Sequence, residues 1–188
     1  MDESIHTALP PELPLSRSLK ENLGNIKTMT GGSSDVIIKE GSICKCDIAV
    51  ITCEGMASTD TLAQLIYSKL NNLGSEPVPP EEIMERLFSD YLIAAEQLEI
   101  KNLGDLVLKM QSGFAIILVD GCSRSIAIGI QGYAQRGVDE PSGQLNVRGS
   151  REGFVEVIRK NMALVRRRIK SPTLVFEMMV LGDRSNTD

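Results

Sequence analysis

Apolar residues in the first hundred positions follow first a helical and then an extended period. Between residues 16 and 30 leucine and isoleucine recur every three or four positions, which predicts an amphipathic helix that ends at a Thr-Gly-Gly turn. The stretches 35–40 and 45–55 predict two strands. The second is nearly all apolar over 48–53, which is typical of a central strand covered on both faces.

Two more helices are predicted before residue 95. Thr59 is expected to cap the first, whose apolar residues over 62–70 share one face. The second is entered through consecutive prolines at 79–80. Glu81 and Glu82 follow them and suit the positive end of a helix dipole.

The second half of the chain predicts further alternation of strands and helices. A short edge strand and a helix are expected within 94–113. Two apolar runs, 114–119 and 126–130, flank the polar stretch Asp-Gly-Cys-Ser-Arg-Ser and predict a β-hairpin. A polar loop over 131–147 leads to a long helix, and a last strand is expected over 173–181.

This order of elements predicts an α/β protein (mixed α+β) with two small α/β lobes, each a mixed sheet packed with helices. A length of 188 residues accommodates one ordinary domain or two small ones. The expected division is a flexible N-terminal tail at 1–15, a first α/β subdomain at 16–108 and a second at 109–188. The second subdomain is expected to be truncated, that is, incomplete at its C-terminus.

Positive charge is concentrated in the last predicted helix. Residues 148–170 hold eight basic and two acidic side chains, whereas residues 1–147 hold 11 basic and 20 acidic ones. A basic helix on an acidic body suits an anionic partner. That partner could be a nucleic acid, a membrane surface, or another part of the same or a second protein chain.

The apolar spacing within this helix favours a structural role. If the helix begins near Ser150, its apolar residues advance by three or four positions and form one inward stripe. The basic residues mostly lie outside that stripe and form a cationic outer face, and Pro172 closes the helix. The stripe consists of Phe154, Ile158, Met162, Val165 and Ile169.

Nucleic-acid and membrane-surface roles are both disfavoured for this helix. The body of the chain is acidic, and no aromatic residues interleave with the basic ones to stack on bases. Tryptophan is absent, and the lobe itself needs the apolar stripe for its core. The positive charge is therefore expected to face protein.

Composition argues against several kinds of site. The sequence has one histidine, His6, so a His-dependent triad or a multi-His metal site is not expected. The four cysteines lack a paired metal-ligand spacing and are predicted to be buried free thiols in a reducing compartment. No apolar run reaches the ~18 residues of a membrane span. No catalytic residue, metal site or cofactor is predicted.

Three polar clusters look like sites but are better explained as turns or surface. Asp120 follows an apolar strand, where active-site acids occur, yet its Asp-Gly pair is typical of a hairpin turn. The glycine-rich stretch 29–35 lacks the lysine of a phosphate loop and is predicted to be a turn. Asp139, Glu140 and Glu152 could supply a carboxylate pair, but no nucleophile accompanies them.

From Gly113 onward the chain carries a set of motifs in a characteristic order. These are GFAIILVDG, QRGVDEP, VRGSREGFVE, NMALVRRRIKSP and EMMVLGDRSNTD. In order and spacing they resemble the A subunits of GerA-type bacterial spore germinant receptors, whereas residues 16–112 agree in layout only. The matching positions are Glu140, Pro141, Arg148, Gly149, Arg151, Glu152, Gly153, Glu156, Asn161, Arg166, Arg167 and Arg168.

The resemblance implies the N-terminal cytosolic region of a membrane receptor subunit that is not an enzyme. Such receptors lie in the spore inner membrane, sense nutrients and start ion release during germination. The implied partners are the receptor B and C subunits and other A subunits, with no nucleic acid. The implied location is the cytoplasmic face of that membrane, with the membrane spanned by other parts of the full-length protein. Family members continue past the position of Asp188 into more soluble chain and membrane helices.

Two alternatives stay open. A related group of spore membrane proteins, the SpoVAF type, shares these motifs. In addition, Arg148 and Arg151 precede a predicted helix N-terminus, where backbone donors and guanidinium groups could hold the carboxylate or phosphate of a small ligand.

Overall fold

The computed structural model describes residues 10–67, 70, 76–91, 96–132 and 153–180. The strands are β1 (Val36–Ile43), β2 (Cys46–Cys53), β3 (Gln97–Ile100), β4 (Phe114–Val119) and β5 (Ser125–Gly129). The helices are α1 (Leu19–Met29), α2 (Thr59–Thr61), α3 (Pro80–Arg86), α4 (Leu103–Gln111) and α5 (Ile158–Arg168). α2 and α3 continue directly as π-helical turns over Leu62–Tyr67 and Leu87–Tyr91.

The five strands form one antiparallel sheet in the order β1-β2-β4-β5-β3. β1 and β2 are a hairpin whose register runs from Val36 opposite Cys53 to Ile43 opposite Cys46. β4 and β5 form the predicted second hairpin, and β3 is the predicted edge strand. Every position of β4 is buried, as expected for the centre of a sheet.

The α/β class is confirmed, but the expectation of a separate mixed sheet in each lobe is wrong. β1, β2 and β3 precede the predicted boundary at 108/109 and β4 and β5 follow it, yet all five share one sheet. β4 has no exposed face or edge and needs a strand on each side. β2 supplies one neighbour and β5 the other. The apolar pattern predicts each strand but does not specify its partners.

Helices cover both faces of the sheet. Successive side chains of a strand point to opposite faces, and this alternation divides the buried residues into two cores. One core places α1 and α4 on the face of Ala49, Ile51, Ile116 and Leu118. The other places α3 and Leu70 on the face of Ile48, Val50, Ile117 and Val119. β4 is therefore apolar without interruption, and β2 is nearly so from Ile48 to Cys53, because both strands are covered on both sides.

The helix α1 begins beside the turn between β4 and β5. Its predicted inward residues, Leu19, Leu23 and Ile26, are all buried. Ser18 caps the helix by accepting a hydrogen bond from the Glu21 amide, and the Asp120 carboxylate accepts another from the Leu19 amide at 2.8 Å. Asp120, directly after β4, thus binds one of the backbone N–H groups that have no partner within the first turn of α1. At α2 the side-chain cap is Ser58, one residue before the expected Thr59.

The described part of the predicted flexible tail is docked on the sheet edge. The Leu15 amide donates to the Lys101 carbonyl at 2.9 Å, and the Leu103 amide donates to the Leu13 carbonyl at 2.9 Å. The Leu15 side chain is buried in the core. Residues 10–15 therefore pack beside β3 and the start of α4, while residues 1–9, with His6, lie outside the described residues.

The C-terminal part of the chain departs most from expectation. The long helix begins at Ile158, and residues 153–157 are not helical. The expected strand over 173–181 is absent from its described residues, 173–180. The predicted inward stripe is also wrong, because only Met162 of its members is buried, and Phe154 is 73% exposed. No helix among the described residues is long and apolar enough to cross a membrane.

The β1–β2 turn forces two ordinary residues into the left-handed backbone region. Cys44 and Lys45 have φ values of 50° and 64°. This two-residue turn matches the twist of the flanking strands, but glycine and asparagine adopt it at lower cost than other residues. The Cys44 side chain is buried in the core at this turn.

Lys45→Gly is expected to stabilise the protein. It should raise the free energy of unfolding by about 0.5–1 kcal/mol, because glycine adopts a positive φ without the steric cost of a side chain. Lys39→Gly, within β1, is the control and should lower it by a similar amount. Urea denaturation of both variants measures the difference. A destabilised Lys45→Gly protein would contradict the account of the turn.

Candidate functional site

Arg166, in the last turn of α5, is a buried arginine with 1% of its surface exposed. Its Nε donates to Asp35 Oδ2 at 2.7 Å, and its Nη2 donates to Asp35 Oδ1 at 3.0 Å. The two groups therefore form a bidentate ion pair, the geometry that matches a guanidinium to a carboxylate. Asp35 is also 1% exposed, so both charges are removed from water.

The Asp35 carboxylate accepts two further hydrogen bonds from neighbouring side chains. The Ser33 hydroxyl donates to Oδ1 at 2.6 Å, and the Cys53 thiol donates to Oδ2 at 3.3 Å. The acid stands just before β1, and the Asp35 carbonyl accepts from the Glu54 amide at 2.7 Å. The start of β1 and the end of β2 thus hold the carboxylate in place.

The chain after α5 supplies two further acceptors for Arg166. Nη1 donates to the Ser171 carbonyl at 2.9 Å, and Nη2 donates to the Leu174 carbonyl at 2.8 Å. The ring of Phe176 lies 5.0 Å from the guanidinium carbon, within the range of a cation–π contact. We call Ser33, Asp35, Arg166 and these three residues the Arg166 site.

A backbone connection completes the Arg166 site. The Phe176 amide donates to Ser33 Oγ at 2.8 Å, and the Ser34 amide donates to the Phe176 carbonyl at 2.9 Å. The segment after α5 therefore runs beside the glycine-rich turn after α1. The turn has φ values of 61° and 65° at Gly31 and Gly32, and a side-chain carbon at Gly31 would come within 2.7 Å of Val175.

The Cys53 thiol remains a hydrogen-bond donor over the physiological pH range. Burial raises the pKa of this thiol, and the adjacent Asp35 carboxylate raises it further by its charge and by accepting the S–H. A protonated thiol suits a carboxylate that already accepts three other hydrogen bonds. Cys53 therefore supports the ion pair and lacks the thiolate character of a nucleophile.

Two further contacts place α5 against the sheet. Arg159 forms an ion pair with Glu54 at the end of β2. A side-chain carbon at Gly55 would come within 2.5 Å of the Ala163 side chain, so only glycine permits this approach. The face of α5 that meets the sheet therefore contains arginine and small residues, and the predicted apolar stripe lies to one side of it.

The structure describes six of the twelve motif positions. Gly153, Glu156 and Arg168 are exposed, and Arg167 is half-buried. The Asn161 side chain donates to the Val155 carbonyl at 2.6 Å and accepts from the Val155 amide at 2.8 Å, which fixes the chain as it enters α5. The positions outside the described residues are Glu140, Pro141, Arg148, Gly149, Arg151 and Glu152.

Ser33, Asp35 and Phe176 are partners that the sequence did not reveal. The glycine-rich stretch before Asp35 is a turn, as predicted, but its polar residues also bind Arg166. One signal was present, an acid directly before a strand whose partner is nearly all apolar from Ile48 to Cys53. Arg166 itself seemed to belong to a cationic outer face, and its burial corrects that expectation.

The Arg166 site suits structural coupling better than chemistry on a ligand. Its carboxylate and guanidinium bind each other and face no solvent. Among the described residues no group of three His, Cys, Asp or Glu could hold a metal ion, and none of the four cysteines forms a disulfide. The arrangement therefore joins α5 to the sheet.

Arg166→Met is expected to expose α5 to protease. The substitution leaves the Asp35 charge buried without its cation, a change that commonly costs about 3–5 kcal/mol. Trypsin should then cut at the remaining basic residues of α5 at least roughly tenfold faster. Lys160→Met removes the same charge from the exposed side of the same helix and should leave the cleavage rate unchanged. Equal rates in the two variants would show that the buried pair does not hold α5.

Comparison with known proteins identifies the family of the chain. Residues 24–188 match the family model described as Bacillus/Clostridium GerA spore germination protein. The chain is 32% identical over 177 residues to spore germination protein KA of Bacillus subtilis (strain 168), an alignment that covers 93% of this chain and 32% of that protein. It is 30% identical over 158 residues to stage V sporulation protein AF of the same organism, covering 84% and 32%.

A solved structure has a similar fold. The N-terminal domain of the A subunit of the Bacillus megaterium spore germinant receptor GerK3 superposes with a TM-score of 0.67 at 26% sequence identity. The match covers 91% of this chain and 62% of that one. The chain spans about a third of the length of the two Bacillus subtilis relatives. Because the family model matches most of its residues, the chain belongs to the GerA family of spore germination proteins.

Proposed function

We propose that this chain is part of the N-terminal domain of a spore germinant receptor A subunit and that it acts through protein contacts, without catalysis. The observation that carries the proposal is the agreement over nearly the whole chain with the solved GerK3 A-subunit domain, together with the GerA family match over residues 24–188. The role is to pass a change of state between parts of a receptor complex during nutrient-triggered germination.

The Arg166 site gives this role a physical basis. Arg166 belongs to the arginine-rich motif after Asn161, and it joins α5 to the glycine-rich turn 131 residues earlier in the chain. A displacement of α5 therefore changes the surroundings of Asp35, at the start of β1. We therefore expect a movement of α5 to shift the start of β1, and a movement at the start of β1 to shift α5.

The partners and the location follow from the same proposal. We expect contacts with the receptor B and C subunits and with other A subunits, and a position at the cytoplasmic face of the spore inner membrane. Charge segregation supports protein partners, since a segment with eight basic residues lies on a chain that is acidic elsewhere. Arg167 and Arg168 follow Arg166 directly and are candidates for such contacts.

A role like that of stage V sporulation protein AF is the second candidate. It is supported by the 30% identity to that protein over 158 residues. Co-purification separates the two candidates. A germinant receptor A subunit should purify with the B and C subunits from spore membranes, and an AF-type protein should not.

The function is tested in spores that carry variants of the full-length protein. Arg166→Met should slow germination at least roughly tenfold with the nutrients that act through this receptor, because α5 loses its buried connection. Lys160→Met is the matched control and should germinate at the wild-type rate. The measurement is the release of dipicolinic acid after addition of a panel of amino acids and sugars, with immunoblots of the subunit.

Unchanged germination of the Arg166→Met spores at normal subunit level would contradict the proposed role of the site. Deletion of the gene tests the broader proposal independently of any folding defect. Spores without the protein that respond normally to every nutrient in the panel would contradict the receptor function itself.

A further inference from the structure

The sheet and its helices form a complete core without the C-terminal segment, residues 153–180. The core beneath α1 and α4 is built from residues between Leu15 and Ala127. The core beneath α3 is built from residues between Ile43 and Ile130. Met162, the one buried apolar residue of the C-terminal segment, belongs to neither core.

The contacts that hold the C-terminal segment to the sheet are largely polar. They include the Asp35–Arg166 and Glu54–Arg159 ion pairs, the two hydrogen bonds of Phe176 with Ser33 and Ser34, and a bond from Gln111 to the Ser171 carbonyl. Large apolar side chains of the segment stay exposed instead, among them Phe154, Val157, Ile158, Ile169, Met179 and Val180.

The C-terminal segment is also connected within itself. Arg166 binds the carbonyls of Ser171 and Leu174, so the end of α5 and the chain after it form one piece. Asn161 binds both backbone groups of Val155, which attaches the entry of α5 in the same way. Separation from the sheet leaves these internal hydrogen bonds intact.

Separation also returns two buried charges to water. The cost of removing Asp35 and Arg166 from water offsets much of their mutual attraction in the docked state. The balance between docked and undocked states is therefore much closer than the balance between a folded and an unfolded sheet.

We propose that residues 153–180 undock from the sheet as a unit while the sheet stays folded, and that the Asp35–Arg166 pair controls this opening. The device is a conformational switch built into the fold. It does not depend on the proposed receptor function, because it concerns two parts of this chain only.

Native-state hydrogen exchange on the full 188-residue chain tests the proposal. In the wild-type protein the amides of α5 should exchange at least roughly a hundredfold faster than those of β4, and their exchange should depend only weakly on low concentrations of urea. Asp35→Asn should accelerate exchange in α5 by roughly a further hundredfold, with β4 unchanged. Lys160→Met should leave both unchanged.

Exchange of α5 and β4 at the same rate, with the same steep dependence on urea, would overturn the proposal, because the segment and the sheet would then open together. If Asp35→Asn does not fold, the exchange rates of α5 and β4 in the wild-type protein, with their urea dependence, are sufficient to test the proposal. The double variant Asp35→Asn/Arg166→Met removes both charges and provides a second check. It should exchange more slowly in α5 than Asp35→Asn does, since no buried charge is left without its partner.

Discussion

A carboxylate and a guanidinium, each with 1% of its surface exposed, bind each other across 131 residues of chain. Neither charge is stable in that position without the other, because an unpaired buried ion is far more costly than a hydrated one. The position of α5 therefore depends on Asp35, and the chain at the start of β1 depends on Arg166. The Ser33 hydroxyl, the Cys53 thiol and two carbonyls after α5 bind the remaining hydrogen-bonding positions of the pair.

This constraint explains why a helix rich in arginine packs against the sheet. An amphipathic helix ordinarily docks through its apolar stripe. Here Arg166 and Ala163 lie on the docked face, and of the predicted apolar stripe only Met162 is buried. The family motif around Arg166 thus has a role within the chain, in holding two parts of the fold together.

The local spacing of apolar residues predicted most of the strands and the helices that pack on them. α1, the strands β1 and β2, the β4–β5 hairpin, the edge strand and the proline-entered helix were predicted, because each has a clear period and clear end signals. Apart from the β4–β5 pair, the partners of the strands were not predicted. A fully apolar strand such as β4 shows that both faces are covered, but it does not show that β2 lies beside it. Because this information is missing from the sequence pattern, two separate sheets were predicted where the structure has one.

The Arg166 site was beyond prediction from spacing alone. The local sequence around a buried arginine looks the same as that around an exposed one unless its carboxylate partner is known. The partner of Arg166 is Asp35, which lies in a turn 131 residues away in the chain. In the fold Arg166 is turned toward the sheet, where Asp35 binds it and Glu54 binds Arg159 on the same helix. The resemblance to a family marked the arginine as important but did not indicate its partner.

The central claim is that Asp35 and Arg166 hold α5 on the sheet together. A double-mutant cycle with Asp35→Asn and Arg166→Met tests it most directly, with the docking free energy of α5 measured by hydrogen exchange of its amides. We predict a coupling of at least about 2 kcal/mol, with the double variant closer to wild type than the sum of the single variants. A coupling below about 0.5 kcal/mol would show that the two residues act independently and would contradict the account.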